Sequence, residues 1–142
     1  MGCDIHVRIQ VNDECHGWRS VGVPNDDRWY SFFEMLCGVR ASNGFVGVMP
    51  RRGLPDKLGI GSGYGEESRH SFGDHSQTWF TLAEMKDALL EAEAFEDKTI
   101  PKCWRDTAID RYKQWVSCGE VLGKAHGAGS DDDVRFVVGF DS

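Results

Sequence analysis

Asp4 and His6 are the first pair of side chains in the chain whose types and spacing could do chemistry. The stretch around them alternates strictly between apolar and polar residues. The apolar positions are Cys3, Ile5, Val7, Ile9 and Val11. Such alternation is typical of a strand with one buried and one polar face. Side chains two residues apart then lie on one face, about 6–7 Å from each other, and could share a divalent ion. The alternative is a solvent-facing strand surface without a specific role.

A second group of chemically capable side chains lies in residues 69–76, just before a predicted helix. It contains His70, Asp74 and His75 together with two serines. A loop at this place could present imidazole and carboxylate groups to a neighbouring strand. We expect His70 or Asp74 to move protons and His75 to act as a metal ligand. The alternative is an exposed polar loop.

The third candidate is Asp141, at the end of an alternating stretch that covers 134–140. If this last strand runs antiparallel beside the first, Asp141 comes close to Asp4. Gathered carboxylates favour a cation, whereas a frayed terminus is the alternative. The predicted metal site therefore consists of Asp4, His6, His75 and Asp141, and we expect it to bind Zn²⁺, Mn²⁺ or Fe.

Arginines beside aromatic residues form the fourth candidate, with Arg28 preceding Trp29 and Tyr30, and Arg40 following a predicted helix. The guanidinium fork suits phosphate or carboxylate groups. We expect Arg40 to hold an anionic group and to stabilise charge that develops during a reaction. The alternative is that these arginines only flank a core helix.

The elements that must position these residues follow from hydrophobic spacing. Period-two alternation predicts strands in residues 3–11, 18–23 and 134–140. Apolar stripes predict helices over 28–37, 81–95 and about 102–118. Gly38 is a plausible C-cap, and Thr81 with Glu84 matches a capping box. Together these elements predict an α+β fold: a small antiparallel sheet, made of an N-terminal hairpin and a C-terminal strand, with one face covered by about three helices.

The chain length of 142 residues predicts a single domain, 1–142. Residues 41–74 are rich in glycine and lack periodicity. A segment of this length without regular structure is often a lid or a binding loop. We therefore expect the 41–74 region to cover the site.

Composition excludes several function classes. A net charge of −7 argues against nonspecific binding to nucleic acid. No apolar run approaches a membrane span, and no secretory signal is recognisable. The five cysteines include no Cys-x-x-Cys pair, which favours a reduced, cytoplasmic compartment over a disulfide framework.

Several motifs in the same order resemble a group of small, mostly uncharacterised proteins of phages, prophages and bacteria. The stretches that carry the resemblance are Gly2-Cys3-Asp4-Ile5-His6, residues 28–40, Arg52-Gly53-Leu54-Pro55, residues 75–82 and residues 134–141. The chain departs at Ser142, where asparagine is usual in the group. The resemblance implies that the shared polar positions matter: Asp4, His6, Arg40, His75, Ser76 and Asp141. A phage origin would fit host-directed roles such as cleaving or sequestering nucleotides.

The sequence leads us to expect a small metal-dependent hydrolase acting on a phosphoester or a nucleotide. The first alternative is a non-catalytic binding protein that sequesters a nucleotide-like ligand or a host protein. The second is a phage structural or accessory protein on which the polar face is simply solvated. The sequence does not indicate an oligomeric state.

Overall fold

The computed structural model of this chain describes residues 2–39, 47, 49, 51–94 and 101–141. Regular elements follow in this order: β1 (Asp4–Asp13), β2 (Gly17–Gly22), α1 (Tyr30–Cys37), β3 (His75–Thr81), α2 (Leu82–Ala94), α3 (Lys102–Ala125) and β4 (Val134–Asp141). Short 3₁₀ turns at Arg69–Phe72 and Asp131–Asp133 precede β3 and β4. The predicted α+β class is confirmed.

The four strands form one antiparallel sheet in the order β2-β1-β4-β3. The predicted N-terminal hairpin is present, and β4 pairs antiparallel with β1 over the whole length of β4. Asp4 lies opposite Asp141, and Val11 lies opposite Val134. The first and last strands are therefore the two central strands of the sheet.

β3 is a strand that the sequence pattern did not predict. Its register with β4 shifts between His75 and Thr78, and Ser76 within the shift has a φ of 54°. A bulge of this kind places an extra residue in one strand and breaks the period of two. The alternation that revealed β1 and β4 is for this reason missing from β3.

One face of the sheet, which we call the helix face, packs against the three α-helices. Apolar side chains from the sheet and from all three helices form the core on this face. Trp115 of α3 stacks on Phe136 of β4, with 5.5 Å between the ring centroids. Gly119 lies beside this contact, where an added Cβ would be 3.0 Å from side-chain atoms of Leu82 and Phe136. The sequence predicts a helix over about 102–118, whereas α3 continues to Ala125.

The start of α1 also differs from expectation. The sequence predicts a helix over 28–37, whereas α1 begins at Tyr30, and its N-cap residue Trp29 accepts no side-chain hydrogen bond from the helix. At the other end, Gly38 is left-handed as a C-cap should be, with its N–H bonded to the carbonyl of Glu34. The Thr81–Glu84 capping box is also formed, since the N–H of each residue bonds to the side chain of the other.

Residues 51–74, which we call the strap, cover the second face of the sheet. The carbonyls of Lys57 and Leu58 accept hydrogen bonds from Arg135 and Gln10. Farther along, Ile60 exchanges backbone hydrogen bonds with β2, and the N–H of Asp74 bonds to the carbonyl of Phe140. The polar face predicted for β1 is therefore covered over much of its length, and Gln10 is completely buried. We call this face the strap face.

The helices of the described residues are all too short or too polar to cross a membrane. All five cysteines are free thiols. Cys3 and Cys37 are buried, and burial raises the pKa of the Cys37 thiol to about 12, so it stays protonated at neutral pH.

Candidate functional site

His6 and Asp141, two of the predicted metal ligands, are in direct contact. The β1–β4 register places His6 opposite Gly139, and the carboxylate of Asp141 reaches across the strand. Its Oδ2 lies 2.6 Å from Nε2 of His6. Neither side chain is buried, with 35% of His6 and 45% of Asp141 exposed. The pair is therefore a hydrogen-bonded imidazole and carboxylate within reach of a ligand from solvent.

Asp4 is directly opposite Asp141 in the sheet, but its carboxylate has a different partner. Arg28 donates through Nε and Nη2 to the two carboxylate oxygens, at 2.5 and 3.3 Å. The hydrogen bond from Arg28 lowers the pKa of Asp4 below its ordinary value. The positive charge of Arg28 thus reduces the repulsion between the neighbouring carboxylates of Asp4 and Asp141 at this end of the sheet.

His75 occupies the end of β3 opposite Phe140, and its ring stacks on the Phe140 ring at 6.1 Å. Phe140 belongs to the core of the helix face. Because neighbouring residues on a strand point to opposite faces, His6 and Asp141 lie on the strap face, and His75 lies on the other. Nδ1 of His75 is 3.1 Å from Oγ of Ser76. The register thus separates His75 from the pair that it was predicted to join.

The two predicted proton-transfer residues lie in the strap next to β4. His70 is exposed in the 3₁₀ turn, where its N–H bonds to Oγ of Ser68. Asp74 is tied to β4 through its N–H, which leaves its side chain exposed. Arg40, the predicted anion-binding residue, lies outside the described residues.

The structure brings some of the predicted metal ligands together, but not all of them. Among the described residues, no three or more His, Cys, Asp and Glu side chains are arranged so that they could hold a metal ion together. His6 and Asp141 could supply two ligands, an imidazole nitrogen and a carboxylate oxygen. Asp4 could become the third if its carboxylate left Arg28. Metal binding stays a prediction of the sequence.

Glycine allows the strap to approach this site closely. An added Cβ on Gly139 would overlap the carbonyl oxygen of Phe72, and one on Gly73 would overlap the carbonyl of Phe140. The strap backbone therefore lies directly on the last residues of β4. It forms one wall beside His6 and Asp141, whereas positions 41–46, 48 and 50 of the predicted loop lie outside the described residues.

Sequence reasoning missed a buried polar network farther along the strap face. Arg135 donates from Nε to Oε1 of Gln10 at 2.8 Å, and Gln10 donates to the carbonyl of Leu58 at 2.5 Å. Burial lowers the pKa of Arg135 to about 10, so it remains charged at neutral pH. The only signal in the sequence is a long polar side chain in the interior of each central strand, which also fits an exposed face.

Comparison with protein-family models, curated proteins and solved structures finds no match to this chain. The resemblance to phage and bacterial proteins therefore stays a prediction that depends on the motifs themselves. Function must be argued from the geometry of the side chains.

Proposed function

We propose that the chain is a small hydrolase of a phosphoester or nucleotide, with His6 and Asp141 at its centre. The observation that carries the proposal is the 2.6 Å contact between His6 Nε2 and Asp141 Oδ2. A carboxylate in this position orients the imidazole and fixes the tautomer with the proton on Nε2. Nδ1 is then the atom that takes a proton from an attacking water as general base.

An anionic substrate requires positive charge beside this base. Arg28 supplies it at the same end of the sheet, with 55% of its side chain exposed next to Asp4. A phosphoryl group could bind the exposed guanidinium N–H groups. Arg40 is proposed as a second cation, on the strength of its place in the sequence. His70 and Asp74 remain candidates for proton transfer from the strap side.

The metal-dependent form of the proposal uses the same residues as ligands. His6 and Asp141, with Asp4 after its carboxylate leaves Arg28, would hold Zn²⁺, Mn²⁺ or Fe. A bound divalent ion would supply a water with a lowered pKa as the nucleophile. Elemental analysis of the untagged protein beside His6→Ala separates the two forms, because only the metal-dependent form requires an ion that the variant loses.

The chain offers a matched control for the activity test. His16 and Asp13 form a second histidine–carboxylate pair, with Nδ1 and Oδ1 3.1 Å apart in the β1–β2 turn. This His16 side chain is 63% exposed. Both His6→Ala and His16→Ala remove one imidazole from a carboxylate, but only the first removes the proposed base.

The experiment is hydrolysis of bis(4-nitrophenyl) phosphate and 4-nitrophenyl phosphate, with EDTA, Zn²⁺ or Mn²⁺. We expect His6→Ala to lower kcat by about 10²–10⁴-fold, the usual contribution of a general base. Asp141→Asn should also lower it, and His16→Ala should leave it unchanged. Equal activity of the His6 and His16 variants would overturn the proposal. A nucleotide that binds and is recovered intact would instead favour the non-catalytic alternative.

A further inference from the structure

A separate cavity of about 490 Å³ opens at the far end of the strap face, between β2 and the strap. The residues that line it are His16, Gly17, Trp18, Lys57, Gly59, Ile60 and Glu66. His6 and Asp141 do not line it, and the β1 register places the hairpin turn several residues away from them. Its volume falls within the range of small-molecule sites, about 300–1,000 Å³.

Trp18 gives this cavity an unusual wall. The guanidinium carbon of Arg135 lies 4.2 Å from the centre of its ring, and Arg135 is only 4% exposed. Within the described residues no carboxylate pairs with Arg135, and its guanidinium donates to the neutral oxygens of Gln10 and Lys57. A cation held against an indole is attracted by its π-electrons. The indole is thus polarised by a buried positive charge, which favours an electron-rich ring stacked against it.

The other walls are fixed by backbone hydrogen bonds. Ser20 N–H bonds to the carbonyl of Ile60 at 2.7 Å, and Ile60 N–H bonds to the carbonyl of Trp18 at 2.9 Å. Gly59, with a φ of +80°, leaves room for the side chain of Gln10. The cavity is therefore formed before any ligand binds, which lowers the entropic cost of binding.

The charges at the rim complete the recognition chemistry. Lys57 is a cation that forms no ion pair with any described residue. Glu66 is exposed and receives one hydrogen bond, from the N–H of Leu58 at 3.3 Å. An ammonium group suits a phosphate, and a carboxylate suits the amino group of a base.

We propose that this cavity is a binding site for a mononucleotide with an amino-bearing base. The base stacks on Trp18, its amino group donates to Glu66, and the phosphate binds Lys57. Stacking on aromatic side chains is a general mode of nucleobase binding. The site requires no catalysis and is independent of the His6–Asp141 pair.

Isothermal titration with 5′-AMP, adenosine and ribose 5-phosphate tests the proposal. We expect AMP to bind saturably and Trp18→Leu to weaken that binding by about tenfold or more, the loss of one stacked base. Lys57→Gln should weaken AMP but leave adenosine nearly unchanged. Trp29→Leu is the matched control, because Trp29 also lies over an arginine, Arg111 at 4.7 Å. Circular dichroism of each variant reports whether it folds.

Each contrary outcome has a distinct meaning. Absence of saturable AMP and adenosine binding overturns the site, as does an equal loss in the Trp18 and Trp29 variants. If Trp18→Leu does not fold, Lys57→Gln alone decides, and unchanged AMP affinity in that variant overturns the proposal. AMP binding that is lost in His6→Ala and kept in Trp18→Leu places the nucleotide at the other site. That last result would overturn this inference while supporting the proposed hydrolase.

Discussion

The two faces of the sheet are both covered, but by different chemistry. The helix face is closed by aromatic and aliphatic side chains from three helices. The strap face has a small apolar cluster, of which Leu58, Phe72 and Val137 are buried, beside the polar pair Gln10 and Arg135. Burial of apolar area is the larger stabilising contribution in folding. We infer that the helix face stabilises the fold and that the strap face shapes the sites.

This difference also predicts a difference in local stability. Segments held by few apolar contacts and by backbone hydrogen bonds open at lower free energy than the core. The strap has this character, since its helical structure is one short 3₁₀ turn and backbone hydrogen bonds tie it to the sheet. Both candidate sites lie against it, so ligand binding and strap opening should be coupled.

The largest expected contrast comes from one buried phenylalanine on each face. Phe136 stacks with Phe80 and Trp115, and Phe136→Ala should cost about 3–5 kcal/mol of global stability. Phe72→Ala in the strap should cost less, about 0.5–3 kcal/mol, because the strap can detach while the core stays folded. Urea unfolding followed by circular dichroism measures both values. Equal losses would show that the two faces unfold as one unit.

Glycine positions on the two faces offer a second contrast. Gly139→Ala would drive a methyl group into the carbonyl oxygen of Phe72, so we expect a loss of about 1–3 kcal/mol and a displaced strap. Gly119→Ala meets only the ends of the Leu82 and Phe136 side chains at 3.0 Å. The gain of about 1 kcal/mol in helix propensity should offset most of that strain. Thermal unfolding of the two variants compares their losses of stability. A larger loss for Gly119→Ala than for Gly139→Ala would contradict the close backbone contact at Gly139.

The buried polar pair should behave unlike an apolar core contact. Gln10→Leu removes one acceptor from the charged Arg135 and should cost about 1–3 kcal/mol. Adding Arg135→Met removes the buried charge as well, so the double variant should be less destabilised than the sum of the single variants. A double-mutant cycle from urea unfolding measures the coupling. Additive losses would show that the pair does not act as a unit.

Much of the helix face could be predicted from the sequence, because its signals are periodic. Alternation located β1 and β4, and the Thr81–Glu84 spacing located the start of α2. Antiparallel closure of the ends also predicted that Asp141 would approach Asp4. These features depend on local patterns that one sequence contains in full.

The strap face could not be predicted in the same way. The bulge at Ser76 interrupts the alternation of β3, so the sequence pattern does not predict this strand. The strap is bound through the backbone carbonyls of Lys57 and Leu58. Every residue type has such a carbonyl, so the sequence contains no signal for these bonds. The strand register places Asp4, His6 and Asp141 close together. It does not determine which side chain bonds to which. Arg28 bonds to Asp4, and His6 bonds to Asp141. This pairing depends on how far each side chain reaches across the fold.

The smallest expected effect is a loss of stability at acidic pH near the first residues of the strap. Arg52 of the strap forms a two-pronged ion pair with Glu84 of α2, and these hydrogen bonds lower the pKa of Glu84 below its ordinary value of 4.5. The folded chain therefore binds fewer protons at Glu84 than the unfolded chain. The stabilisation is complete above pH 4.5 and is lost as pH falls through the lower folded pKa.

Glu84→Gln should remove this pH dependence, at a cost of about 0.2–1 kcal/mol at neutral pH, since the pair is partly exposed. Asp87→Asn, an exposed acid on the same helix, is the control and should change little. Hydrogen exchange of the strap amides at neutral and acidic pH measures the effect. If acid loosens the amides of α3 in the helix face before those of the strap, the strap is not the less stable of the two coverings. The division between a stabilising face and a site-forming face would then be wrong.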